Sequence, residues 1–158
     1  MHEFITNLDL HAKGLWFPVS VSILLALTVI FIPKNISWKE IYITFGVVGL
    51  ATWLSDGILS RAFDLFDIGD PKKAGLGDIL SYTFIPTSLA ILFLNYFTRK
   101  NRWVLTSWFT LAAFLIEFGM VQLGYLKFKG WNGYFSIIAF VIAFGFLLPL
   151  HLKIIRSD

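Results

Sequence analysis

Five apolar stretches, each about as long as a bilayer-crossing helix, constrain this chain more than any other feature of its sequence. A helix needs about 20 mainly apolar residues to cross the hydrocarbon core of a membrane. Of the 158 residues, 57% are hydrophobic and 15% are charged, whereas soluble domains contain about 45–50% apolar and about 25% charged residues. The sequence therefore predicts an all-α protein, a compact bundle of five transmembrane helices that forms a single domain over residues 1–158. The predicted spans cover residues 15–32, 41–60, 77–97, 103–125 and 132–155.

The basic residues are concentrated at the ends of these stretches. Lys and Arg exceed Asp and Glu by 13 to 10, and a basic excess beside apolar spans is typical of a bilayer surface rather than of nucleic-acid binding. We therefore expect a lipid bilayer as partner and no nucleic acid. Seven Lys and Arg residues lie in the connections after spans one and three and at the C-terminus, and six lie on the opposite side. This difference favours a plasma-membrane protein with its N-terminus outside and its C-terminus in the cytoplasm.

Local signals indicate how two of the helices are built. Ser37 and Glu40 have the S-x-x-E spacing of a capping box, which predicts a helix that begins just after Ser37. Pro86 falls inside the third span. A proline is tolerated in a membrane helix where neighbouring groups bond the carbonyl that it frees, so Pro86 predicts a kink.

Three acidic residues, Asp56, Asp78 and Glu117, lie where lipid would otherwise be expected. Ionisable groups at membrane depth are costly and commonly functional. Glu117 is the strongest candidate, as a proton carrier, a counter-ion or a cation ligand. The alternative for Glu117 is a structural hydrogen bond from its protonated form to Thr110 or to a neighbouring helix. For Asp56 the alternative to a functional role is an ion pair with Arg61, and for Asp78 it is a helix cap.

Small and hydroxyl side chains recur every three or four residues on one face of each later span, which predicts that these faces point into the bundle. Glu117 lies about eight residues from the outer end of its predicted span, so it should be roughly 12 Å deep. The polar groups on these faces converge toward the outer half of the bilayer. We therefore predict a ligand-binding cavity lined by Glu117, Asp56, Asp78, Tyr82, Thr110 and Asn132.

A metal site would need a histidine from the N-terminal segment, His2 or His11, beside the three carboxyl groups. Such a set would suit Mg, Mn or Ca through oxygen ligands, or Zn or Fe through histidine. The sequence has no H-E-x-x-H, E-x-x-H or paired histidine spacing, so no metal ligands are assigned and the cofactor is unknown. The absence of cysteine excludes disulfides and thiolate chemistry. No Walker loop, G-x-S-x-G or dinucleotide fingerprint occurs.

Several short motifs occur together in spans two to five. They are Asp56-Gly57, the segment Tyr82–Pro86 leading into Thr87-Ser88-Leu89, the lone Glu117, Gly130-Trp131-Asn132 and Leu150-His151. In these motifs the chain resembles the small, five-span, functionally uncharacterised membrane proteins widespread in spore-forming Firmicutes, a family named after a clostridial locus tag. The chain lacks a His before Gly130 and an Asn-His ahead of the third span. The resemblance implies a membrane setting linked to sporulation or the cell envelope, and it implies no reaction.

These observations favour a non-enzymatic membrane protein with an acid-lined, outward-opening cavity for a small ligand or a cation, with proton coupling as an option. One alternative is an accessory subunit that packs on a larger membrane-protein partner. A second is a membrane-embedded, metal-dependent hydrolase or transferase that acts on lipid.

Overall fold

The computed structural model describes residues 8–70, 73 and 75–156. Within them the chain forms five helices and two short strands, and helix accounts for 73% of the structure. The helices are α1 (Trp16–Phe31), α2 (Trp38–Ala62), α3 (Leu76–Tyr96), α4 (Arg102–Gln122) and α5 (Gly133–Ile155). The strands are β1 (Phe66–Ile68) and β2 (Leu126–Phe128).

Helices α2 to α5 are 21 to 25 residues long and apolar enough to cross a membrane. Helix α1 is equally apolar, but its 16 residues span only about 24 Å at 1.5 Å per residue. That is shorter than the hydrocarbon core, which is about 30 Å thick. An all-helical structure with four helices long and apolar enough to cross a membrane is thus confirmed for the described residues, and the five crossings stay a prediction.

Helix α3 lies at the centre of the bundle and packs against the other four helices. In its most apolar window 56% of the residues are buried, against 17–28% in the corresponding windows of α2, α4 and α5. Phe93, which has no exposed surface, contacts the rings of Phe97, Phe109 and Phe144 at centroid distances of 5.4–5.5 Å. The core therefore surrounds α3, while the outer helices turn large apolar side chains outward, as a lipid environment requires.

The predicted irregularity at Pro86 is present in α3. A π-helical turn, Leu80–Phe84, precedes the proline. Proline has no N–H, so the carbonyl of Tyr82, four residues earlier, lacks its helical donor. The Thr52 hydroxyl of α2 donates a hydrogen bond to this carbonyl. The neighbouring helix thus satisfies the carbonyl that Pro86 frees, as the sequence predicts.

The same arrangement recurs in α5. A π-helical turn, Ala143–Leu147, precedes Pro149, and the carbonyl left without a helical donor belongs to Gly145. Arg102 of α4 donates from Nε to this carbonyl at 2.7 Å. Its guanidinium also lies over two aromatic rings, at 4.8 and 4.9 Å from their centroids. In both α3 and α5, a neighbouring helix therefore bonds the carbonyl that the proline frees.

No strand is predicted from the sequence, because both strands of the sheet fall in segments predicted as connections. The strands have only three residues each and pair in antiparallel fashion. In each of them apolar and polar side chains alternate, which is a period-two pattern too short to stand out. The cross-strand pairs are Phe66 with Phe128, Asp67 with Lys127, and Ile68 with Leu126.

At the opposite end of the bundle, polar bonds join α2 to α5. The Glu40 carboxylate accepts from Arg156 Nε at 2.5 Å, and Thr44 Oγ1 lies 3.0 Å from His151 Nε2. Glu40 also accepts from the Ser37 backbone N–H, and the Ser37 hydroxyl accepts from the Glu40 N–H, so the predicted capping box is confirmed. These contacts fix the spacing of α2 and α5 at the end far from the sheet.

Candidate functional site

A cavity of about 250 Å³ lies between α2, α3, α4 and α5, on the side of the bundle that carries the strands. The apolar side chains of both strands contribute to its wall, together with Ile85, Leu89 and Met120. Three of the six side chains predicted to form a site, Asp56, Tyr82 and Glu117, also line it. The space is therefore mainly apolar, with a few polar groups on different walls, which is the usual composition of a small-molecule pocket.

Glu117 is held by a chain of hydrogen bonds from α5 and the segment before it. The Trp131 indole N–H donates to the Ser136 hydroxyl at 2.7 Å, and the Ser136 hydroxyl donates to Glu117 Oε1. An indole N–H can only donate, so the single Ser136 hydroxyl proton is left to point at the carboxyl group. Glu117 thus acts as an acceptor, and its structural partner is Ser136 on α5, not Thr110 on its own helix.

Glu117 lies closer to the end of its helix than the sequence predicts. Helix α4 ends at Gln122, three residues before the predicted end of the span, because Gly124 takes a left-handed conformation with φ of 74° and the chain turns into β2. Glu117 is therefore five residues, or about 7.5 Å, from the end of its helix. Its carboxyl group lies closer to the sheet than the predicted 12 Å depth implies.

Asp56 and Tyr82 form the wall of the cavity on the side of α2 and α3. Asp56 is only 4% exposed, and its Oδ2 lies 3.5 Å from Arg61 Nε, which confirms the predicted ion pair. Tyr82 lies on the same wall as Asp56. The Thr52 bond to the Tyr82 carbonyl fixes the two helices beside each other at this point. The bond from Thr52 to the carbonyl that Pro86 frees therefore positions the side chains of Asp56 and Tyr82.

A second, polar cavity of about 390 Å³, here called the vestibule, adjoins the first. Asp56 and Tyr82 line both spaces, so they stand at the boundary between them. The charged residues around the vestibule are Asp56, Arg61, Asp64, Asp67, Lys73, Asp78 and Lys129.

Asp78 lines the vestibule and not the apolar cavity. It is 6% exposed, and its Oδ2 accepts from the Gly75 backbone N–H at 3.2 Å. The predicted capping role is confirmed, although Asp78 is the third helical residue and bonds backward to Gly75, rather than preceding the helix itself.

Two predicted site residues lie away from the cavity. Asn132 caps α5, where its Oδ1 accepts from the backbone N–H groups of Tyr134 and Phe135 at 3.0 and 3.2 Å. Thr110 lines a separate groove between α4 and α5. Its buried hydroxyl, like that of Thr106, has no hydrogen-bond partner among the described residues. The structure thus does not bring these two residues together with Glu117.

The geometry offers no metal ligand set in residues 8–70, 73 and 75–156, where no group of three or more His, Asp or Glu side chains is placed to hold an ion. His11 is exposed, and His2 lies outside the described residues. The lipid-enzyme alternative, which depends on such a metal, gains no support from the described carboxyl groups.

Two groups outside the membrane-spanning helices, Tyr125 and Lys129, have shifted pKa values. Burial raises the pKa of the Tyr125 phenol, whose ring packs so tightly on α3 that a Cβ at Gly77 would lie 1.7 Å from its hydroxyl oxygen. Hydrogen bonds to Asp64 and Asp67, at 2.6 and 3.0 Å, raise the pKa of Lys129. Lys129 therefore ties β1 and its flanks to the end of β2.

Sequence reasoning missed the partners of Glu117 and the strands. Trp131 is readable from the sequence only as a residue of the interfacial aromatic belt, yet its indole orients Ser136. The Ser81 hydroxyl was also missed. It lines the cavity and has no hydrogen-bond partner in the described part of the chain. The alternation in residues 66–68 and 126–129 is the one signal that could have located the strands.

Comparison with known proteins gives no further assignment. No family model matches the chain, and neither a curated protein nor a solved structure matches it. The resemblance to the five-span Firmicutes proteins accordingly remains a prediction from the sequence motifs, and the function has to be argued from the site.

Proposed function

We propose that this chain is an integral membrane protein whose cavity binds a small, largely apolar ligand. The observation that carries the proposal is the position of Asp56, Tyr82 and Glu117 on the walls of one cavity of about 250 Å³. A carboxyl group that exchanges its proton as the ligand binds would couple the two events, so proton coupling is part of the proposal.

The composition of the cavity supports a bound ligand over a purely structural role for the acids. A concave, mainly apolar space with a few polar groups on its walls is typical of small-molecule sites. The cavity of about 250 Å³ is partly open and has this composition.

The binding experiment uses neopentylbenzene as a small apolar probe and the chain in lipid nanodiscs. Ala139 lines the cavity on α5 and is exposed, so Ala139→Phe should narrow the space without straining the core. Ala51 on α2 is exposed and does not line the cavity, which makes Ala51→Phe the matched control. We expect saturable binding to the unmodified chain and to Ala51→Phe, and a loss of at least tenfold for Ala139→Phe. Equal binding to all three proteins would refute the proposal.

We also propose five crossings, with the sheet on the outer side of a bacterial plasma membrane. Helix α1 contains no charged residue and packs along α3, which supports a crossing, and a slightly short helix is accommodated at modest cost. The chain has no cysteine, so single cysteines are clean reporters. A membrane-impermeant maleimide added to intact cells should label Asp64→Cys beside the sheet and spare Asn101→Cys at the other end. The reverse labelling pattern would show the opposite orientation. Five crossings would be excluded if the maleimide labelled both Asn101→Cys and Lys13→Cys, which lies near the N-terminus.

A further inference from the structure

Among the described residues, the cavity lining contains two acids and no basic side chain, and of the two acids only Asp56 has a charged partner, Arg61. The acids are Asp56 and Glu117, and the described lining contains no Lys, Arg or His. Arg61, the ion-pair partner of Asp56, belongs to the vestibule and its side chain is 59% exposed. Glu117 has a hydroxyl and not a cation as its partner. A carboxylate in an apolar space is costly unless it is paired, so a cation bound beside Glu117 would stabilise its ionised form.

The direction of the hydrogen bonds supports the same ligand class. Because Trp131 donates to Ser136 and Ser136 donates to Oε1, Oε1 is already an acceptor. Among the described residues nothing donates to Glu117 Oε2, so this oxygen is left for a ligand. A ligand that is itself an anion would face two carboxyl groups with no donor of opposite charge. Anionic ligands are therefore disfavoured at this site.

Aromatic rings form much of the remaining wall. Tyr82 and Trp131 line the cavity together with three phenylalanines. The face of an aromatic ring attracts a cation, by about 0.5–2 kcal/mol per contact. The aliphatic side chains beside these rings accommodate hydrocarbon. Charge and apolar surface thus occur together in one small space.

From these observations we infer that the ligand is a small amphipathic organic cation, with its cationic group near Glu117 and its apolar part among the aromatic and aliphatic side chains. The inference rests on the proposed function, because it names the ligand class of the same cavity. Asp56, at the boundary with the vestibule, supplies the second carboxyl group along the way from water to Glu117.

The test compares two probes of equal shape that differ in charge. Benzyltrimethylammonium is the cation, and neopentylbenzene replaces its nitrogen by carbon. Binding to the unmodified chain in nanodiscs is measured by ligand-observed NMR, and partition into lipid is subtracted with the Ala139→Phe protein. We expect the cation to bind at least about tenfold more tightly, equivalent to 1.4 kcal/mol. Glu117→Gln should abolish this preference, whereas Glu40→Gln, which removes a membrane carboxylate far from the cavity, should retain it.

The outcomes separate the inference from the function on which it rests. Equal binding of both probes overturns the inference and leaves the cavity as a site for neutral apolar ligands. A preference that survives in Glu117→Gln also overturns it. Saturable binding of neither probe contradicts the proposed function itself. The comparison of the two probes on the unmodified chain holds even if Glu117→Gln fails to fold, which circular dichroism would show.

Discussion

The bond from Thr52 to the carbonyl of Tyr82 predicts a measurable coupling between α2 and the proline of α3. Thr52→Val keeps the shape of the side chain and removes the donor, so the carbonyl that Pro86 leaves free loses its partner. Hydrogen bonds between membrane helices contribute about 0.6 kcal/mol on average and up to about 1.7 kcal/mol. Thr52 lies within 3.0 Å of its own helix carbonyls at Val48 and Gly49, but those already have backbone donors. We therefore expect a loss near the upper value, about 1–1.7 kcal/mol.

The assay is reversible unfolding in mixed micelles with increasing SDS. Thr28→Val is the matched control, because the Thr28 hydroxyl is exposed and bonds only to its own helix, at the Leu24 carbonyl. Its effect should stay within about 0.5 kcal/mol. Pro86→Ala restores an N–H beside the Tyr82 carbonyl, so Thr52→Val should cost clearly less in that background. The reasoning is refuted if Thr52→Val costs no more than Thr28→Val, or costs the same with and without Pro86.

Two further variants test the packing and the charges at the sheet. Gly77→Ala places a Cβ against the Tyr125 hydroxyl and should cost about 1–3 kcal/mol through overpacking. A Cβ at Gly46 meets no atom of the described residues within 4 Å, so Gly46→Ala should leave the free energy of unfolding unchanged or raise it by up to about 1 kcal/mol. The raised pKa of Lys129 means that its stabilising contribution is complete below the unfolded value of 10.5 and is lost as the pH rises through the higher folded value. The rate of protease cleavage beside Asp64 should thus rise above about pH 10.5 in the unmodified chain. In Lys129→Met, cleavage should already be fast below that pH and should show no such rise.

The helices could be predicted because their signals are local. Apolar length locates the spans, the Ser37–Glu40 spacing begins α2, and Pro86 marks the irregular turn. The spacing of Thr52 and Asp56 also places both side chains on the face that meets α3. These features depend on residues within one or two helical turns of each other, so the sequence contains them directly.

The site was only partly predictable because its partners are distant in sequence. Ser136 lies 19 residues from Glu117, and nothing in either segment shows that α4 and α5 face each other with these side chains in contact. Thr110 shares the helical face of Glu117, yet it lines another groove, between α4 and α5. The sheet pairs three-residue segments from connections 60 residues apart, and so short a pairing leaves almost no periodic signal.

The central claim is that Glu117 presents a free carboxyl oxygen to an accessible apolar cavity, and carbodiimide labelling tests it most directly. Dicyclohexylcarbodiimide is apolar and reacts with carboxyl groups that it reaches from the membrane. Glu40 provides the internal comparison, because it is also in a membrane helix but both of its oxygens are bonded, to Arg156 and to the Ser37 backbone. Peptide mass spectrometry should find Glu117 modified well before Glu40, and more slowly in Ala139→Phe. Modification of Glu117 no faster than that of Glu40 would contradict the account.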